Sequence, residues 1–161
     1  PFNFYYLSIK TMTNLIILPL ILASALSFSI NNHPIVSEEL HKQLKAINWP
    51  FTLCGDGKWE IQKLTLGSTP ARNTNDSIDV TGKAKDSITF KNVLLTVKLN
   101  GTPLHSETIV FTDSFDNGDT VEFKFNNYIP SFAPSGTYAL SFQFVDDQNK
   151  NNGCFAFQFK L

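Results

Sequence analysis

The chain has 161 residues, a formal charge of -1 and 17% charged residues. It therefore lacks the basic face that binding nucleic-acid phosphates requires, and it has no run of like charges to hold it on a membrane surface. Fifteen phenylalanines within one domain's length point instead to a β-rich domain with an apolar core.

In chain order, the first feature is TNLIILPLILASALSFS, from Thr13 to Ser29. It has the length of a signal-peptide apolar core and falls short of the roughly 20 residues a spanning helix needs. Lys10 and Met12 stand just before it, so the spacing predicts a leader over residues 1–30 with translation starting at Met12. An uncleaved anchor is the alternative. Residues 31–48 read as a linker or a short helix capped by Ser37, with Leu40, Leu44 and Ile47 on one face. The domain itself is expected over 49–161.

From Trp49 onward short strands alternate with turn signals. The expected strands are 58–67, 77–84, 87–100, 103–111, 119–126, 137–147 and the last run from Gly153, with Asn100-Gly101 and Asn117-Gly118 as turns. Seven such strands without a convincing helix between them predict an all-β, immunoglobulin-like sandwich of antiparallel strands. Alternation turns Trp59, Ile61, Ile78, Val80, Ile88, Phe90, Ile109 and Phe111 inward. In the long strand the inward parity changes from Phe90 to Val93, Leu95, Val97 and Leu99. That change predicts a bulge, or a switch of sheets, near Lys91-Asn92. Val121, Phe123 and Phe125 follow, then Tyr138, Leu140, Phe142 and Phe144, then Phe155, Phe157, Phe159 and Leu161.

After the leader only Cys54 and Cys154 remain. In an oxidising compartment they read as one disulfide closing a loop of about 100 residues, worth about 4.7 kcal/mol in the chain-entropy account; otherwise they are buried thiols. Asn75-Asp76-Ser77 and Asn100-Gly101-Thr102 have the form of N-glycosylation acceptors and are expected in loops.

Reactive constellations are not apparent. His105 is alone in its strand, zinc-type spacings are missing, and Asp113, Asp116, Asp119 and Asp146-Asp147 read as turn formers. No cofactor and no catalytic residue is expected. The aromatic interior is either plain core or the lining of an apolar pocket. Leu95 is counted among the lipid-lining positions, with the Phe155, Phe157, Phe159 and Leu161 row as one wall and Phe142 and Phe144 beside it. Tyr128, Ile129 and Phe132, between Pro130 and Pro134, either gate such a pocket and touch a membrane or cap the core.

LCGDGKWEIQKLTLGSTP (53–70) and IPSFAPSGTYALSFQFVDDQNKNNGCFAFQFKL (129–161) together resemble the opening and the ending of the ML-domain lipid-recognition family. The shared marks are a cysteine in an acidic-glycine turn, the Pro134-Ser135-Gly136-Thr137-Tyr138 turn into a strand, and a last strand headed by cysteine. The resemblance implies a secreted or lysosomal, monomeric β-sandwich that holds a sterol, fatty acid, phospholipid or glycolipid between its sheets without catalysis. It also implies transient membrane contact and pairing of Cys54 with Cys154. The alternative is a secreted immunoglobulin-like interaction module with a solid core.

Overall fold

A computed structural model describes residues 4–7 and 46–161. The apolar run of the expected leader and the linker or helix expected up to residue 45 lie outside the described residues. Every strand pairing is antiparallel, and the strands form two five-stranded sheets.

The first sheet has the order β1 (Phe4–Leu7), β8 (Thr120–Ile129), β5 (Thr74–Ala84), β4 (Trp59–Leu66), β2 (Ile47–Asn48). The second has the order β3 (Thr52–Leu53), β10 (Asn151–Lys160), β9 (Thr137–Val145), β6 (Ile88–Leu99), β7 (Thr102–Phe115). The seven long strands are those the alternation predicts. β1, β2 and β3 are additions at sheet edges; the two-residue β2 and β3 are too short to leave a periodic signal.

Two register breaks explain the inward faces. β6 shifts against β7 between Phe90 and Asn92, where the parity change predicts a bulge. Phe90, Val93, Leu95 and Val97 are consequently all buried. β4 shifts against β5 between Ile61 and Lys63, which turns Leu64 and Leu66 inward after Trp59 and Ile61.

The chain crosses between sheets at the β4/β10 side. It leaves β2 in the first sheet, reaches β3 in the second, then returns through residues 54–58 to β4. Trp49 holds the first crossing, its backbone N–H donating to Leu64 O at 2.9 Å and its Nε1 to Gln158 O at 3.0 Å. The second crossing is fastened by the Cys54–Cys154 disulfide, with Cα atoms 5.0 Å apart. The bridge thus ties the edge strand β3 to β10 within one sheet and does not join one sheet to the other. Cys154 lies on the opposite face of β10 from Phe155, where Cys54 Sγ is 3.8 Å from Ser141 Oγ.

Gly153 is required by close approach: a β-carbon there would stand 2.8 Å from Cε3 of Trp59. The hairpin of Asn100 and Gly101, both at positive φ (50° and 84°), joins β6 to β7 as expected.

Candidate functional site

The inward side chains form layers along the sandwich. At the disulfide end Trp59 meets Phe144 edge-to-face, with ring centroids 4.8 Å apart, and Phe123 at 5.4 Å. In the middle Phe125 of the first sheet meets Phe142 of the second at 4.9 Å. Phe142 in turn stacks on Phe155 at 4.9 Å with planes 6° apart. Such pairs are favourable beyond the area they bury. Leu95, directly opposite Phe142 on β6, is buried in the same layer.

The row Phe155, Phe157 and Phe159 does lie on one buried face with Phe142 and Phe144 beside it, and Leu161 is half-buried at its end. These rings lie against one another, Phe142 stacking on both Phe155 and Phe157.

At the far end the ring contacts among the described residues lie within the second sheet. Tyr138 stacks on Phe159 at 5.4 Å, both from the second sheet, and Asn127 and Ile129 of β8 line the space from the first sheet. Between them is a small void of about 10 Å³, completed by Val97, Leu140 and Leu161. Asn127 is 5% exposed and its Oδ1 has no hydrogen-bond partner. It continues the inward row of Val121, Phe123 and Phe125 past residue 126, where the sequence pattern ends the strand. β8 runs on to Ile129, and extending the same alternation by one step would have found Asn127.

The same extension moves the Asn75 acceptor out of a loop. Asn75 lies in β5, paired with Tyr128 and exposed, because β5 starts at Thr74. Asn100 does lie in a turn, where its Oδ1 accepts from the backbone N–H of Thr137 at 2.9 Å.

The loop after β8 closes this end, and its apolar residues divide. Ile129 is buried and caps the core, while Phe132 is 77% exposed. Tyr128, partly exposed, donates its hydroxyl to Asn73 Oδ1 at 3.0 Å. Arg72 fastens the loop by donating from Nε to Ala133 O at 2.8 Å and from Nη2 to Ser135 Oγ at 2.7 Å. Tyr138 donates its hydroxyl to Pro134 O at 2.8 Å, and burial pushes its pKa up. Gly136 and Leu161 exchange backbone hydrogen bonds of 3.1 Å in both directions.

The ionisable groups do structural work. Asp146 Oδ1 accepts from the backbone N–H groups of Lys150 and Gln148, which lowers its pKa and shapes the β9–β10 turn. Asp119 Oδ2 accepts from the N–H of Asp116 in the β7–β8 turn. His105 Nε2 lies 3.4 Å from Glu107 Oε2 on β7. Burial raises the pKa of Asp76 although Ser68 donates to it from both N and Oγ. Among the described residues no group of three or more His, Cys, Asp or Glu is placed to hold a metal ion.

A family model described as the ML domain matches residues 48–161. The crystal structure of a Niemann-Pick type C2 protein from Japanese carpenter ant superposes with a TM-score of 0.55 at 13% identity, covering 70% of this chain and 98% of that one. The C-terminal domain of wzt superposes at 0.50 and 17% identity, covering 73% and 75%. Chicken MD-1, solved in complex with lipid IVa, gives 0.45 at 13% identity over 70% and 97%. No curated protein sequence matches the chain.

Proposed function

The chain belongs to the ML-domain family, and from that premise we propose that it binds a lipid between its two sheets and carries or presents it without catalysis. The observation that carries the reading is that the family match spans β3 through β10, and the buried cluster between those strands is built of apolar side chains from Trp59 to Phe159. An apolar ligand needs no charged clamp there, since each methylene withdrawn from water contributes about 0.8 kcal/mol. The ligand class is a sterol, fatty acid or phospholipid. The protein acts as a monomer in a secreted or lysosomal compartment, which suits its disulfide. Phe132, exposed on the loop that closes the far end, is the point of transient membrane contact.

Native mass spectrometry of protein secreted by eukaryotic cells and purified without detergent tests this reading. Co-purifying lipid near one per chain supports it. A protein that is empty and takes up neither fluorescent fatty acids nor fluorescent sterols is an interaction module with a solid core, the packing of Phe125 on Phe142 being what favours that second reading.

A further inference from the structure

We infer that Asn127 reads the polar group of the ligand, and that the site takes an uncharged amphiphile whose hydroxyl donates to Asn127 Oδ1. The inference rests on the lipid-carrier reading and narrows it. Asn127 is the polar member of an otherwise apolar inward row, Val121, Phe123, Phe125 and Ile129. A buried carboxamide oxygen without a donor is costly, and groups of this kind in native interiors are usually paired.

Asn127 lines the far-end void, whose volume of about 10 Å³ borders on the size of a single water. A water there would find few partners, because Val97, Leu140, Phe159 and Leu161 are apolar and the Tyr138 hydroxyl, which donates to Pro134 O, is left only as an acceptor. A hydroxyl on the end of an apolar ligand supplies the missing donor and brings its own apolar surround. An anionic head is mismatched. No charged side chain lines the void, Asn127 Oδ1 is an acceptor, and the residue directly opposite Asn127 on β5 is the buried Asp76.

The test uses three sixteen-carbon probes on the full chain at pH 7: 1-hexadecanol, its methyl ether, which keeps the oxygen but loses the donor, and hexadecanoate. Each displaces a bound fluorescent lipid. The alcohol is expected to bind about tenfold more tightly than the ether or the acid, one hydrogen bond's worth. Asn127→Leu should bring the alcohol down to the ether's level and leave the ether unchanged. Asn127→Thr, which keeps an oxygen, should retain part of the preference and serves where the Leu variant does not fold. Equal binding of all three by the wild type, tighter binding of the acid, or an alcohol preference that survives Asn127→Leu overturns the role of Asn127 and leaves the carrier reading intact. Binding of none of them, nor of the fluorescent lipid, overturns both.

Discussion

Asp76 and Asn127 stand in direct register on β5 and β8, both turned into the interior at the far end of the sandwich. Two polar side chains thus share the end of a core that is otherwise hydrocarbon and aromatic ring. They differ in how they are satisfied: Asp76 accepts from Ser68, whereas Asn127 Oδ1 accepts from nothing.

Burial raises the pKa of Asp76 above 3.8, outweighing the hydrogen bonds from Ser68, Ser77 and Gly67 that lower it. Above the raised folded value the carboxylate is charged in both states and its burial costs stability. As pH falls through that value the folded chain takes up the proton first, and the cost is recovered fully once pH is below the unfolded value. Asp76→Asn is therefore expected to be more stable than the wild type at pH 7, with the advantage shrinking on acidification and gone below about pH 3.8. Urea denaturation of both proteins across that range measures it.

Phe142 contacts Phe125 in the opposite sheet and Phe155 beside it, and it is fully buried. Phe142→Ala should cost about 3–5 kcal/mol through lost burial and the cavity left behind. Because that cavity lies where the lipid is proposed to sit, saturating lipid should raise the variant's melting temperature more than the wild type's. Thermal unfolding with and without lipid gives both numbers, and an equal shift in the two proteins counts against a site in this layer.

Phe132 packs little and is open to water, so Phe132→Ser should leave stability within about 0.5 kcal/mol. If the ring dips into bilayers, the variant should take lipid from vesicles several-fold more slowly while binding detergent-dispersed lipid as the wild type does. Stopped-flow uptake of a fluorescent lipid distinguishes the two.

Replacing both Cys54 and Cys154 by serine removes a cross-link between residues 100 apart in sequence. The chain-entropy account puts the loss at about 4.7 kcal/mol. The two-residue ladder of Leu53 on Phe155 and Thr52 on Ala156 should fray first, visible as faster amide exchange in β3 and the adjoining edge of β10.

Much of this molecule is legible in the residues, and the parts that are not share a physical reason. The β6 bulge shows because the inward row changes parity between Phe90 and Val93, a change a two-residue repeat cannot hide. The β4 bulge is less visible, since Ile61, Leu64 and Leu66 read equally well as a few apolar residues spaced along any strand. Asn126-Asn127 and Asn73-Thr74-Asn75 carry asparagines, which are disfavoured in strands, so local preference ends β8 too early and begins β5 too late. The ladder between those strands overrides that preference and carries pairing out to Thr74 and Ile129. Asn127 was hidden by the same override. Composition announces the rings, but whether Phe125 touches Phe142 depends on the separation of two sheets, which no single strand encodes.

Arg72 gives the far end a consequence for timing. Its guanidinium spans Ala133 O and Ser135 Oγ, and the Gly136–Leu161 pair lies beside it. If the proposed lipid leaves past this loop, it has to break these hydrogen bonds, and the loop then slows entry and exit alike. On the proposed carrier reading, dwell time and affinity would then be set by different residues: the interior would fix how tightly a lipid is held, and Arg72 on the rim how often the loop lets it pass.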